Sequence, residues 1–215
     1  MVLLRSIVTV GGFTMLSRIL GFVRDILVAA FLGAGPIADA FFVAFKMPNF
    51  FRRLFAEGAF NAAFVPLFAT KLTDDGKSSA AQFATAVLSV MVVFLLVFVT
   101  GLQIAMTWLM YVFAPGFVDD SEKFSLAIEL TRITFPYLLF ISLVSLLGGV
   151  LNSLGRFAAA AATPVILNIV LIGAMLLATP HLPSAGHSLA WGVSVAGVAQ
   201  FLWLVYACRQ AGISL

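Results

Sequence analysis

Long apolar runs separated by short polar turns dominate the sequence. A helix needs about 20 apolar residues to cross a bilayer core of about 30 Å, and six runs reach that length. The turns contain helix-stopping chemistry, as in Gly33-Ala34-Gly35-Pro36. The pattern predicts an all-α polytopic membrane protein in which residues 1–215 form one unit, with spans at about 6–32, 37–70, 81–111, 125–151, 157–179 and 188–208.

Composition agrees with this fold class. Hydrophobic residues make up 62% of the chain and charged residues only 10%, whereas soluble domains average about 25% charged residues. The single Cys208 excludes an internal disulfide. Residues 1–5 lead into an apolar run without a small-residue cleavage site, so we expect the first helix to be retained.

Basic residues near the ends of the runs predict the orientation. They place both termini in the cytoplasm, because cytoplasmic loops are enriched in Lys and Arg. Only Lys123 lies on the opposite side, against Arg5, Lys71, Lys77, Arg156 and Arg209.

The second run is too long for one straight span. As a single helix it would measure roughly 50 Å, so it must project, tilt or break, and Pro48 is the expected break. Pro136 and Pro164 lie inside later runs and are expected as kinks, or as bends that let a transporter open and close.

Charge is concentrated in residues 17–66. The chain has 12 basic and 9 acidic residues. Ionisable groups at membrane depth cost about 2.5–3.5 kcal/mol each on insertion scales, so they usually face a cavity, a partner or a substrate. This stretch is therefore the predicted functional site, and it holds eight of these charges: Arg18, Arg24, Asp25, Asp39, Lys46, Arg52, Arg53 and Glu57.

Helical phase sorts these residues into faces. At 100° per residue, one arc of the first helix holds Gly11, Thr14, Ser17, Arg18, Gly21, Arg24 and Asp25. On a continuous second helix, one side would hold Asp39, Lys46, Arg53, Glu57 and Asn61, with Asn49 near its edge. Arg52 would point away unless Pro48 resets the rotation.

Three interpretations of the charges stay open. They could form salt bridges that specify helix packing, and Arg52 and Arg53 could extend to the membrane surface. Alternatively, they line a cationic cavity for a phosphate or pyrophosphate, which planar guanidinium groups bind well. Arginine outnumbers lysine four to one in this stretch, which favours the phosphate.

Other polar residues receive simpler interpretations. Asn168 could line the cavity or hydrogen-bond across helices. His181 and His187 are expected in a solvated loop, too sparse for a metal site. Glu129 and Arg132 are expected as an i,i+3 surface pair.

Several segments closely resemble the MurJ (MviN) lipid II flippases. The resemblance covers nearly the whole chain, and its segments are SRILGFVRDILVA at 17–29, FLGAGPIADAFFVAFKMPNFFRRLFAEGAFNAAFVP at 31–66, FAPGF at 113–117, TRITFPYLLFISLVSLLGGVLNSLGRFAAAAATPVILNI at 131–169 and LAWGVSVAGVAQ at 189–200.

The resemblance implies a transporter rather than an enzyme, in the multidrug/oligosaccharidyl-lipid/polysaccharide exporter superfamily. It would move undecaprenyl-pyrophosphate-linked peptidoglycan precursor across the bacterial inner membrane by alternating access. Arg18, Arg24 and Arg52 would bind the pyrophosphate in the central cavity. The polar cavity or gate positions would be Ser17, Asp25, Asp39, Lys46, Asn49, Arg53 and Glu57. No catalytic residue, metal or cofactor is implied; the membrane potential, with a possible coupling ion, would drive transport.

The resemblance also implies that the chain is the N-terminal six-helix lobe of a two-lobe fold. The second lobe, with its ion site, would be the missing partner, and without it the polar faces would meet lipid, so poor stability or self-association is expected. Alternative functions are an exporter of another polyprenyl-linked glycan or of cationic drugs, a membrane enzyme acting on polyprenyl phosphates, and a non-transporting partner subunit.

Overall fold

The computed structural model describes residues 2–53 and 59–213, with side chains at 8–53 and 62–213, and this part of the chain is helical with no β-strand. Ten α-helices follow one another: α1 Val2–Leu32, α2 Pro36–Arg52, α3 Ala59–Asp74, α4 Gly76–Ile104, α5 Met106–Phe113, α6 Ser121–Thr134, α7 Tyr137–Ser153, α8 Phe157–Ala161, α9 Thr163–Gly173 and α10 Ala185–Gln210. A 3-10 turn at Pro115–Phe117 precedes α6. A π-helical turn at Ala174–Ala178 and a 3-10 turn at Thr179–His181 follow α9.

Among the described residues, four helical stretches are long and apolar enough to cross a membrane: Gly76–Ile104, Ser121–Ser153, Phe157–His181 and Ala185–Gln210. Each overlaps one of the last four predicted spans. The first two predicted spans correspond to α1 and to α2 with α3. They are not in this set, so the count of six spans stays a prediction, as does the cytoplasmic placement of the termini. The all-α membrane fold itself is confirmed.

Helices α7 and α10 form the centre of the lobe. They pack against each other, and α10 also contacts α2, α6 and α9. Glycines make the approach close: a Cβ on Gly197 would lie 2.7 Å from the ring of Tyr137, and one on Gly192 would lie 2.9 Å from Cβ of Ala174. Helix α1 lies at the periphery against α8 and α9. Its other side exposes large apolar residues such as Phe22, as lipid-facing helices do.

The predicted break at Pro48 is wrong. Pro48 lies inside α2, which continues to Arg52. A proline cannot donate to the carbonyl four residues before it, which here belongs to Ala44. The hydroxyl of Thr134 on α6 donates to that carbonyl at 2.8 Å. A neighbouring helix therefore supplies the missing hydrogen bond, which allows α2 to pass through the proline.

At the other two predicted kinks, a side chain likewise replaces the N–H that the proline lacks. Pro136 lies between α6 and α7 and cannot donate to the carbonyl of Arg132, which accepts instead from Nε2 of Gln103 at 2.8 Å. Pro164 is the second residue of α9, and the hydroxyl of Thr163 donates at 2.8 Å to the carbonyl of Ala160 that Pro164 leaves open. Side chains thus complete the backbone hydrogen bonding around each of these bends.

The predicted solvated position of His187 is also wrong. His187 lies in the first turn of α10 and is buried. Its Nδ1 lies 2.8 Å from the hydroxyl of Ser184, and its Nε2 lies 3.2 Å from a carboxylate oxygen of Glu129 on α6. Glu129 therefore connects α6 to α10 through this histidine, whereas the sequence predicted that it pairs with Arg132.

Basic residues collect at one end of the lobe. Lys77 at the start of α4 and Gly212 after α10 line one surface groove. Arg156 after α7 and Gln210 at the end of α10 line another. The turns that the positive-inside rule assigned to the cytoplasm therefore lie together, as that topology requires.

Candidate functional site

Asn168 joins the polar face of α1 to α9. Its Nδ2 donates to the backbone carbonyl of Ser17 at 3.0 Å and lies 3.4 Å from the Ser17 hydroxyl. Its Oδ1 accepts from Nη1 of Arg24 at 2.9 Å. Gly21 lies between these positions on α1, and a Cβ there would approach Nδ2 of Asn168 to 3.7 Å. Ser17, Gly21 and Arg24 follow the i, i+4, i+7 spacing of one helix face, so α1 presents them together to Asn168.

The Arg24 guanidinium is held by hydrogen bonds that do not use all of its N–H groups. Its Nε and Nη2 both donate to Oδ1 of Asp25, at 3.0 and 2.7 Å. An arginine has five N–H groups, and these contacts with Asn168 and Asp25 use three of them. Within the part of the chain that the structure describes, the other two have no acceptor. The Arg24 side chain is 25% exposed and that of Asp25 is 67% exposed, so a ligand could approach the pair from outside the lobe.

Arg52 lies apart from Arg24, at a cavity of about 330 Å³ between α2, α3, α7 and the α8–α9 region. Polar groups on its wall come from Ser145, Asn152 and Thr163. Gly148 and Gly149 of α7 leave the space open. The residues around Arg52 and those around Arg24 share no member. Because α2 continues through Pro48, Arg52 points away from the side that holds Asp39 and Lys46, and it lines this cavity instead.

Asp39 has a partner outside residues 17–66. Its carboxylate accepts from Nζ of Lys123 at 2.5 Å, which joins α2 to the first turn of α6. The Lys123 ammonium also lies 4.2 Å from the ring centroid of Phe117, a cation–π distance. This pair lies at the end of the lobe opposite the cluster of basic turns, as the predicted topology requires.

The remaining predicted site residues differ in their exposure, and two of them lie outside the described residues or side chains. Arg18, Lys46 and Arg53 are exposed on the surface of the lobe. Asn49 is half-buried, and its Nδ2 donates to the carbonyl of Phe45 in its own helix at 2.9 Å. Glu57 and the Asn61 side chain lie outside the described residues. Asp39, Lys46 and Arg53 are spaced seven residues apart along the continuous helix α2, so they lie on one exposed side of it, as predicted. Whether this side extends to Glu57 and Asn61 stays a prediction.

The structure thus brings Ser17, Arg24 and Asp25 together with Asn168 and assigns Arg52 to a separate polar cavity. Such an arrangement can bind an anion, because a guanidinium with unused N–H groups at membrane depth attracts phosphate oxygens. Lys123 was absent from the predicted site. Asn168 was predicted to line the cavity or to hydrogen-bond across helices, and it does hydrogen-bond across to α1. The signal for Asn168 was present, since it is the one carboxamide in the apolar fifth run, but its partners could not be chosen from sequence.

The chain is similar to known lipid II flippases. A family profile described as "Lipid II flippase MurJ" matches residues 28–215. A probable lipid II flippase MurJ of Rhizobium tropici is 48% identical over 220 residues, which cover 100% of this chain and 41% of that protein. The lipid II flippase MurJ of Burkholderia cenocepacia is 44% identical over 210 residues, covering 93% of this chain and 39% of the relative.

A solved structure of a lipid II flippase MurJ in an inward closed conformation matches with a TM-score of 0.77 and 29% sequence identity. The match covers 94% of this chain and 42% of that structure. The chain therefore spans about two fifths of the length of the proteins that it matches and amounts to one lobe of their fold. With its profile match over most of its length, the chain belongs to the MurJ family of lipid II flippases.

Proposed function

We propose that this chain is one lobe of a lipid II flippase, which moves undecaprenyl-pyrophosphate-linked peptidoglycan precursor across the membrane by alternating access. The chain resides in the bacterial inner membrane, as a member of its family with helices suited to span a bilayer. The observation that carries the proposal is the Arg24 guanidinium. It lies on the polar face of a largely apolar helix, is held by Asn168 from the side, and keeps two N–H groups for a ligand.

Asp25 provides a way to bind and release the pyrophosphate. Without ligand, its carboxylate partly neutralises Arg24 through one oxygen. A pyrophosphate carries more acceptor oxygens and more charge than a carboxylate, so it competes for the same N–H groups. Because Asp25 is well exposed, it can turn away when the headgroup binds and return when the headgroup leaves. Asn168 holds the guanidinium in place during this exchange.

Arg18 and Arg52 add positive charge along the path of the headgroup. The chain acts as a transporter rather than an enzyme, and a complementary lobe completes the cavity. The membrane potential drives transport without a bound cofactor, with any coupling ion in that second lobe.

A chimera tests this function. The matched 210-residue region of the Burkholderia cenocepacia relative is replaced by this chain, and the resident flippase is depleted. We expect the chimera to restore growth and the appearance of lipid II in the outer leaflet, measured by its accessibility to an added enzyme. Arg24→Ala should abolish both while membrane abundance is unchanged. Arg132→Gln, at an exposed arginine outside the site, is the matched control and should retain both.

Two outcomes would contradict the proposal. Normal cell-wall growth with Arg24→Ala as the sole copy would show that Arg24 is not needed for substrate binding. Failure of the unaltered chimera, while the corresponding Rhizobium tropici region succeeds in the same host, would show that this lobe does not serve lipid II transport.

A further inference from the structure

The surface groove lined by Arg156 and Gln210 lies at the basic end of the lobe, far along α1 from Arg24. It measures about 290 Å³ and opens between α1, α8 and α10. Its walls are apolar and come from Phe13, Leu151, Ala159 and Ala207. This groove shares no residue with the Arg24 contacts or with the Arg52 cavity, so the proposed flippase site does not account for it.

The rim of the groove is polar and aromatic. Trp203 donates from Nε1 to the carbonyl of Ala159 at 3.0 Å, which joins α10 to α8. One turn along, Tyr206 accepts at its hydroxyl from Nε2 of Gln210 at 2.6 Å. The Trp203 and Tyr206 rings lie 6.3 Å apart between centroids, and both are exposed. Paired Trp and Tyr side chains with this exposure are typical of the membrane–water interface.

Arg156 supplies a fixed positive charge on the same rim. Its backbone N–H donates to the carbonyl of Leu151 at 2.8 Å, and Gly155 before it has a φ of 72°. Together they close α7 with a Schellman motif, which fixes where the arginine leaves the backbone. Its side chain is exposed and takes part in no ion pair among the residues that the structure describes.

From these features we infer that the groove binds an anionic glycerophospholipid of the adjacent leaflet. One acyl chain lies along Phe13, Leu151 and Ala207, and the headgroup phosphate pairs with Arg156. A cation above an apolar channel matches the two parts of such a lipid, and basic pockets between membrane helices are known to take anionic headgroups. Because the exposed Trp203 and Tyr206 border the groove, it opens toward the bilayer, and a lipid enters it from the side. The inference does not depend on lipid II transport.

Native mass spectrometry of the purified chain in detergent tests the site with defined probes. Phosphatidylglycerol and phosphatidylcholine with identical acyl chains are titrated, and adduct retention gives apparent affinities. We expect phosphatidylglycerol to bind more tightly, and Arg156→Gln to lower its affinity by about fivefold, the effect of one basic residue near a phosphate surface. Arg209→Gln removes an exposed charge at the same end but outside the groove lining, and should change the affinity less than twofold.

A second variant probes the apolar wall. Ala158→Leu places bulk in the groove from exposed α8 and should lower the affinity for both lipids, with thermal unfolding unchanged. Equal losses in Arg156→Gln and Arg209→Gln would indicate diffuse surface charge and overturn the site, as would no loss in Arg156→Gln. If undecaprenyl phosphate displaces phosphatidylglycerol at lower concentration, the groove belongs to a polyprenyl lipid and the phospholipid assignment is wrong.

Discussion

The hydroxyl of Thr134 donates to the carbonyl oxygen of Ala44 at 2.8 Å, the carbonyl that Pro48 leaves without its helical partner. Both groups are buried, and the two residues are 90 positions apart in sequence. This hydrogen bond lies within the part of α2 that connects Asp39, before the proline, to Arg52, after it.

Replacing Thr134 with Val is expected to destabilise the lobe by about 1–3 kcal/mol, since a buried carbonyl loses its hydrogen bond while side-chain shape is kept. Thr131→Val is the matched control. Thr131 is equally buried on the same helix, but its hydroxyl donates to the carbonyl of Ala127 within its own helix. Unfolding in mixed detergent, followed by circular dichroism, gives both values.

A double-mutant cycle isolates the proline. Pro48→Ala restores an N–H for the carbonyl of Ala44, so the cost of Thr134→Val should fall to that of Thr131→Val in this background. An unchanged cost would mean that Thr134 stabilises the lobe through packing, and that the hydrogen bond to Ala44 is incidental.

Asp25→Asn is expected to strengthen binding of a pyrophosphate lipid. It removes the carboxylate that competes for the Arg24 guanidinium, and ion pairs this exposed contribute about 0.2–1 kcal/mol, a factor of roughly 1.5 to 5 in affinity. Transport in the chimera should slow, because release becomes harder. Lipid II binding and outer-leaflet accessibility measure the two effects.

Asp119→Asn, at an exposed carboxylate between α5 and α6, is the control for Asp25→Asn and should change neither quantity. Weaker binding with Asp25→Asn would show instead that Asp25 orients Arg24 toward the ligand.

The sequence predicted the helical membrane fold and much of the polar face of α1, because both depend on local spacing. Ser17, Gly21 and Arg24 do share a face, as a 3.6-residue period requires. Their partner Asn168 lies 144 positions beyond Arg24 and is set by tertiary packing, which periodicity does not report. Pro48 failed as a predicted break for the same reason, since its compensating donor is on another helix.

His187 and Lys123 show a second limit. A Pro- and Gly-rich neighbourhood is typical of solvated loops, yet Ser184 begins α10 by accepting from the backbone N–H of His187, which turns the histidine inward to Glu129. Lys123 likewise follows an N-cap, Asp120, that accepts from its backbone N–H at 3.0 Å. In both cases an N-cap begins a helix whose first turn contributes a contact to another helix, and composition alone could not show it.

Gly197→Ala is expected to destabilise the lobe by about 1–3 kcal/mol through overpacking, although alanine favours helices over glycine by about 1 kcal/mol. The new Cβ would lie 2.7 Å from the Tyr137 ring and 3.1 Å from Cβ of Phe140 on α7. Gly101→Ala, in α4, meets no atom within 4 Å and should be neutral or stabilising. Detergent unfolding compares the two. A stabilised Gly197→Ala would show that α7 and α10 can move apart without cost.

The Asp39–Lys123 pair is expected to couple α2 to α6 by about 0.5–1 kcal/mol, at the upper end of the range for surface ion pairs. Lys123 is only 19% exposed at its side chain and also contacts Phe117, so water screens it poorly. A cycle of Asp39→Asn and Lys123→Met, read by detergent unfolding at low and high salt, measures the coupling.

The control is the Lys71–Asp75 pair, whose side chains are four residues apart and 43% and 50% exposed, and about 0.3–0.5 kcal/mol is expected there. Equal coupling in the two pairs would mean that packing alone holds α2 against α6, and would leave the Asp39 carboxylate available to other partners.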